Sequence, residues 1–170
     1  MATVTKSKMT QVRSLVGGTP TPLTFGEAAT QTYVQGEVVF LSGGYCTEIA
    51  GDTPSQILGV AGQAANNDAV ANTHETSVFL AQPSTVFEAN LLATGLADYV
   101  LTAADVGKYV GIQRDTTNSK VYLNVTPPNG GANVRACIIG IDTRTSAVGD
   151  TNARVHFVWL QNFVQMNSTS

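Results

Sequence analysis

The side chains best suited to acid–base or metal chemistry are the two histidines, His74 and His156. His74 lies in the stretch Thr-His-Glu-Thr, and His156 lies within an apolar segment near the carboxyl terminus. A metal centre needs several ligands that converge on one point. No cysteine or carboxylate recurs at a ligand spacing from either histidine, so we predict that the chain holds no metal and no other cofactor.

Other polar clusters also depart from catalytic patterns. Residues 66–68 (Asn-Asn-Asp) offer oxygen atoms, but the regular spacing and the closing Glu of a calcium loop are missing. Residues 42–44 (Ser-Gly-Gly) lack the Gly-x-Ser-x-Gly order of a nucleophile elbow. Glu88 and Asp98 could be imagined as a glycosidase pair, but two carboxylates at an arbitrary spacing are expected by chance. We therefore predict no catalytic residues and a protein that is not an enzyme.

The charge distribution argues against nucleic acid as a partner. Charged residues make up only 12% of the chain, against about 25% in an average soluble protein. Residues 1–26 carry a formal charge of +3, and the remainder carries −6. An acidic body disfavours nucleic-acid binding, and the basic segment is too sparsely charged to resemble a nucleic-acid tail.

The chain also lacks the patterns of membrane and secreted proteins. No apolar run approaches the roughly 18 residues of a membrane span, and the amino terminus has no signal-peptide core. We therefore predict no membrane partner and synthesis in a cytoplasm. Cys46 and Cys137 lie in apolar surroundings, which favours two buried free thiols over a disulfide without excluding the disulfide.

The elements that must position these residues are short strands. Segments of alternating or β-branched residues at intervals of roughly ten residues predict about eight or nine strands, and hence a small barrel or sandwich. The predicted strands are residues 33–41, 45–49, 57–62, 76–81, 85–92, 109–114, 120–126, 134–142 and 153–165. The fold class predicted is all-β, with one short helical turn.

The stretch 101–126 predicts a helical turn that leads into a β-hairpin. Thr102 can cap the turn, Asp105 lies in its first turn, and Gly107 can end it. Residues 120–126 alternate as a half-buried strand does. The residues that we expect to be largely buried are Val110, Ile112, Val121, Leu123, Val125, Ile138, Phe157 and Trp159.

Residues 1–32 show no strong periodicity, and Pro20 and Pro22 push their neighbours into extended conformations. We predict an extended arm, with plain disorder as the alternative; the β domain then covers residues 33–165, and a polar tail covers residues 166–170. The arm would order only on a partner, so that the domain folds without it. The residues expected to contact that partner or a neighbouring copy are Lys6, Lys8, Met9, Val12, Arg13, Leu15 and Val16.

The order of the sequence blocks resembles that of a known class of viral proteins. After the basic arm, the blocks are Tyr-Val-Gln-Gly-Glu-Val-Val-Phe-Leu, Ile-Leu-Gly-Val-Ala, Thr-Val-Phe-Glu-Ala-Asn-Leu, Leu-Thr-Ala-Ala-Asp-Val-Gly-Lys-Tyr-Val-Gly, Val-Arg-Ala-Cys-Ile-Ile-Gly-Ile-Asp and Asn-Ala-Arg-Val-His-Phe-Val-Trp-Leu. Over roughly residues 33–165 this resembles the head decoration, or cement, proteins of tailed bacteriophages. The resemblance is one of block order and texture.

The resemblance implies a small β-barrel-like core of the β-tulip type. It also implies a homotrimer on the outer capsid surface of the virion, where it reinforces junctions between subunits of the major capsid protein. It carries over no catalytic or cofactor residues.

Two other functions remain open at this point. Another virion component, such as a tail-tube or head-completion protein, would differ in location and copy number. A carbohydrate-binding or hydrolytic β domain would need a convergent polar pocket.

Overall fold

The computed structural model describes residues 1–127 and 130–166 of the chain. The strands in chain order are β1 (Thr10–Ser14), β2 (Leu23–Gly26), β3 (Val38–Ser42), β4 (Tyr45–Glu48), β5 (Gly59–Ala61), β6 (Glu75–Leu80), β7 (Thr85–Leu92), β8 (Tyr109–Asp115), β9 (Lys120–Asn124), β10 (Ala136–Ile141) and β11 (Arg154–Trp159). The helical elements of the described ranges are 3-10 turns at Thr94–Leu96, Ala103–Asp105, Gly130–Asn133 and Gln161–Phe163. The predicted all-β class is confirmed.

One sheet closes into a small barrel. Its strand order is β1-β7-β11-β10-β8-β9, and a parallel pairing of β7 with β9 joins Leu91 to Leu123 and thereby closes the ring. β1 is an additional strand on β7, antiparallel to it. Phe157 and Trp159 pack inside with ring centroids 5.1 Å apart and an interplanar angle of 86°. Such an edge-to-face contact is favourable beyond the apolar area that it buries.

The second sheet has the strand order β2-β6-β5-β3-β4. Its two end strands come together through a parallel bridge between Glu27, the residue after β2, and Cys46 of β4. Gly59 in β5 permits a close approach, because a Cβ there would lie 2.1 Å from the carbonyl oxygen of Phe79. Burial raises the pKa of the Cys46 thiol to about 12.

Arg114 of β8 links the barrel to the second sheet. Its Nε donates to Glu37 over 3.0 Å, and one Nη donates to Glu48 over 3.3 Å. The other Nη donates to the carbonyl of Ile49 over 3.1 Å. Glu37 is 1% exposed, so the guanidinium compensates a carboxylate that water does not reach.

The stretch 101–126 forms the predicted turn and hairpin. The Asp105 carboxylate accepts from the backbone N–H of Thr102 over 2.7 Å and from its hydroxyl over 2.9 Å. Gly107 follows with φ +91°, the left-handed conformation that ends such a turn. In the hairpin loop, Asp115 accepts from the backbone N–H groups of Thr117 and Asn118 over 3.1 and 3.0 Å.

The predicted core is confirmed apart from one position. Of the eight residues expected there, Val125 is half-buried and the others are at most 2% exposed. The prediction that residues 120–126 form a half-buried strand is wrong, because Tyr122 and Asn124 on the other face are also buried. That face is covered where Lys120 donates to the carbonyl of Lys6 and Asn124 bonds to Thr94.

Both cysteines are free; Cys46 is buried, as predicted, whereas Cys137 is half-buried. No helix in the described ranges is long and apolar enough to cross a membrane. Of the predicted tail, residues 167–170 lie outside the described residues.

Candidate functional site

Residues 2–14, called the N-terminal segment below, lie against the barrel. β1 pairs with β7 from Thr10 opposite Glu88 to Ser14 opposite Thr85. Nearer the amino terminus, Val4 donates its N–H to the carbonyl of Thr151 over 2.9 Å. β11 pairs with one edge of β7. On the other edge, β9 pairs with β7 only near the carboxyl end of β7. The segment therefore satisfies backbone groups of β7 that would otherwise form an open edge.

Side chains of the barrel hold the part of the segment before β1. Asn90 is fully buried; its Oδ1 accepts from the N–H of Ser7 over 2.8 Å, and its Nδ2 donates to the carbonyl of Thr5 over 3.2 Å. Lys120 donates to the carbonyl of Lys6 over 3.0 Å. These bonds take the place of those from a neighbouring strand. They attach the segment to the barrel, whereas the sequence predicted an arm of residues 1–32 separate from the domain.

Met9 anchors the segment in the main core. It is 1% exposed and belongs to the same apolar cluster as Val60 and Phe87. Gly36 allows the approach, because a Cβ there would lie 2.9 Å from the carbonyl oxygen of Met9. In this structure Met9 therefore packs within the core of its own chain, and the segment is ordered without a partner. Contact of Met9 with the capsid or a neighbouring copy stays a prediction.

The other predicted contact residues divide into two groups. Lys6 and Val12 are half-buried, and Lys6 forms an ion pair with Asp98 over 3.3 Å. The exposed residues are Lys8, Arg13, Leu15 and Val16, called the β1 strip below. Leu15 is 52% exposed and Val16 is 83% exposed. Neither Lys8 nor Arg13 has an ion pair within the described part of the chain.

A charged cluster that sequence reasoning missed lies beside β1. Possible ligand atoms of Glu88, Asp142 and His156 all lie within 4.8 Å of one another. Glu88 of β7 is directly opposite His156 of β11, and Asp142 follows β10, the other neighbour of β11. The strand register brings these residues together, so a correct prediction of which strands pair would have found the cluster.

Two arginines already neutralise these carboxylates. Arg144 donates from Nε to Asp142 over 2.8 Å and from Nη2 to Glu88 over 2.7 Å. Arg154 donates to the other oxygen of Glu88 over 2.9 Å. The guanidinium of Arg144 thus bridges the oxygens that a metal cation would bind. The cluster is explained by ion pairs, and it supports β1 because Thr10 donates to Glu88 over 2.8 Å.

The environment of Asp142 affects its protonation. Burial alone would raise its pKa, but hydrogen bonds from Arg144 and Thr145 outweigh burial and lower the pKa of Asp142 to about 2. The carboxylate is therefore charged at neutral pH, as its pairing with Arg144 requires.

The remaining candidates from the sequence have structural partners. His74 lies 3.4 Å from Asp68 and also contacts Asn66. Glu27 accepts from the backbone N–H groups of Asn66 and Asn67 over 2.9 and 3.2 Å, and so organises that loop. Glu88 and Asp98 do not act as a pair, since Asp98 binds Lys6 and Glu88 binds the arginines.

An open polar cavity of about 610 Å³ lies over the same loop. Its lining residues are Glu27, Gln63, Ala64, Asn66, Asn72, Thr73, His74 and Glu75. No Phe, Tyr or Trp side chain is present among these described lining residues to stack against a sugar. Glu27 and His74 already bind other groups of the loop. The cavity therefore offers fewer available polar groups than a carbohydrate-binding site would need.

Comparison with known proteins gives no relative: no family model, no curated protein and no solved structure matches the chain. The resemblance to phage decoration proteins therefore stays a prediction.

Proposed function

We propose that the protein is a virion structural protein that decorates the outer surface of a bacteriophage capsid. It binds the major capsid protein as a homotrimer and stabilises the junctions between capsid subunits. The observation that supports this most directly is the β1 strip, in which exposed basic and apolar side chains lie along and beside an edge strand, with Lys8 before β1 and Leu15 and Val16 after it.

The strip has the composition of a docking surface. Leu15 and Val16 are exposed, and fully burying an aliphatic side chain of this size contributes about 1.5–3 kcal/mol. Arg13 and Lys8 have no ion pair with described residues, so an acidic partner surface would gain attraction without breaking an existing pair. Contact with a capsid protein at this strip is therefore favourable for both kinds of side chain.

A trimer suits the proposed target. A capsid built on icosahedral symmetry offers three-fold junctions, and a ring of three copies matches them through heterologous contacts. Three tethered weak contacts also bind more tightly than one, because later contacts form at a high effective concentration.

Sedimentation of the protein with purified capsids tests the strip. Replacing Arg13, Leu15 and Val16 together by Ala, Ser and Ser should weaken binding at least about tenfold, the equivalent of roughly 1.4 kcal/mol. The matched control is Val70→Ser, because Val70 is 69% exposed and lies outside the strip. Added salt should weaken wild-type binding, since salt screens Arg13 and Lys8. Equal binding by the triple variant and the control would refute the proposed surface.

Quantitative mass spectrometry of purified virions tests the location. A decoration protein should be present in a number comparable with that of the major capsid protein. A few copies per particle would instead indicate a tail or head-completion protein and overturn the proposal.

A further inference from the structure

We propose that the N-terminal segment is exchanged between copies of this chain, so that residues 2–14 of one copy occupy the β7 edge of a neighbour. The inference rests on the proposed self-association and does not require capsid binding. The partner surface is the acceptor site on the barrel of the neighbouring copy. In the structure, the segment of the same chain occupies this site.

The acceptor site is built from residues far along the chain. The side chains of Glu88, Asn90, Lys120 and Arg154 bind the segment, and all of them belong to the barrel. The carbonyl of Thr151 completes the site near the amino terminus. A second copy presents the same site, so an exchanged segment would reproduce every one of these contacts.

The connection between the segment and the rest of the chain is suited to exchange. Residues 15–22, called the hinge below, are mostly exposed. Gly17 and Gly18 have φ values of +93° and +78°, and nothing lies within 4 Å of a Cβ built on either. The hydrogen bonds that hold the hinge lie at its start, where Leu15 donates its N–H to the carbonyl of Ser84 over 2.7 Å and Val16 donates its N–H to the Ser14 hydroxyl over 3.2 Å. Straightening the hinge therefore breaks few contacts, and Pro20 and Pro22 favour its extended form.

The energy balance of exchange is set by the hinge and by local concentration. Since the strand contacts are the same in both arrangements, exchange is a low-cost route to assembly. Docking within one chain has the advantage of effective concentration, about millimolar for a short linker. Exchange is therefore expected only where copies already lie in contact, because contact raises the local concentration of the neighbouring acceptor site.

The length of the hinge limits the assembly. Its eight residues span at most about 28 Å when fully extended. A folded domain of this length has a radius of gyration of about 15 Å, so the acceptor site must belong to a copy in direct contact. A small closed ring, such as a trimer, meets this requirement.

Burial of Met9 determines when exchange occurs. Because Met9 is 1% exposed in the main core, removing the segment from a folded copy opens that core. Exchange should therefore be established while chains fold together, and folded copies mixed afterwards should exchange slowly.

Isotope mixing tests the inference without a substitution. Unlabelled and ¹⁵N-labelled wild-type chains are refolded together in equal amounts, and a carbodiimide joins Lys6 to Asp98, an ion pair of 3.3 Å. Exchange should give mixed light–heavy cross-links in about half of the products, as random assembly of equivalent copies requires. Chains folded separately and then mixed are the control. Cross-links that join only chains of the same label would overturn the inference.

A cysteine pair gives an independent measurement should the carbodiimide product be absent. Ser14 and Thr85 are directly opposed in the β1–β7 pairing, at a separation that suits a disulfide. Chains carrying S14C and chains carrying T85C, distinguished by size and both with Cys137→Ser, are refolded together and oxidised. A linked heterodimer supports exchange. The same substitutions in one chain are the control, and an intramolecular disulfide there with no heterodimer would overturn it.

Capsid binding is measured separately on the same preparations. Exchange without capsid binding would contradict the proposed function alone, and capsid binding by chains that pair only internally would contradict exchange alone.

Discussion

Replacement of Met9 by Ala gives the sharpest test of whether the N-terminal segment is part of the folded core. Met9 is 1% exposed and lies in the main apolar cluster. Removing a buried side chain of this type generally costs about 2–5 kcal/mol, and the cost depends on how well the site can fill the space. The variant should therefore lower the free energy of unfolding substantially.

The surroundings of Met9 narrow this range. A cavity of about 190 Å³ lies beside it, lined by residues that include Gln11, Gly36, Val60 and Phe79. Because that cavity adjoins the side chain, water and neighbouring groups can fill part of the space that Met9 leaves. We expect a loss of about 2–3 kcal/mol, in the lower half of the range for large-to-small core substitutions.

Urea unfolding followed by circular dichroism measures this loss. With a slope of about 2 kcal/mol/M, the midpoint should fall by about 1–1.5 M. The control is Leu15→Ala, because Leu15 is 52% exposed and exposed substitutions usually change stability by no more than about 0.5 kcal/mol. If both variants shift the midpoint by the same small amount, the segment is not held in the core and the reasoning fails.

Three further results are expected. Leu123→Ala should cost about 2–5 kcal/mol, since Leu123 is fully buried on the strand that closes the barrel; a urea midpoint close to that of wild type would contradict the register of β9. Arg114→Ala should cost about 3–5 kcal/mol in the same assay, because it leaves the buried carboxylate of Glu37 unpaired. Arg13→Ala, at an exposed position, is the control for that loss and should change stability by no more than about 0.5 kcal/mol. The pKa of Asp142 is lowered to about 2 in the folded protein. Its contribution is therefore complete above an unfolded pKa of about 4 and is lost as the pH falls from about 4 to about 2. The urea midpoint of Asp142→Asn should accordingly depend less on pH over that range, and parallel curves for variant and wild type would contradict this.

Much of the local structure could be predicted because the signals are local. The alternation in residues 120–126 predicted the buried face of β9, and Thr102, Asp105 and Gly107 predicted the turn before the hairpin. Period-two alternation and capping depend on residues within a few positions of one another. They report which side chains turn inward and where an element ends.

The N-terminal segment could not be predicted in this way. β1 reads Thr-Gln-Val-Arg-Ser, which carries little apolar alternation. What holds it comes from residues far away in sequence, including Asn90, Lys120 and Arg154. Sequence reasoning identified its basic and apolar side chains as contacts but assigned them all to a partner. The structure assigns Met9 and Lys6 to the chain itself and leaves Arg13, Leu15 and Val16 exposed.

The same distinction separates what the sequence determined from what the tertiary structure decided. Periodicity determined an all-β chain and most of its core, and it was compatible with either a barrel or a sandwich. The parallel pairing of Leu91 with Leu123 decided for the barrel, and the register of Glu88 opposite His156 assembled the charged cluster. Backbone N–H and C=O groups are the same at every non-proline residue. Side-chain patterns therefore indicate which face of a strand is buried, whereas only packing of the whole chain selects which strand lies along each edge.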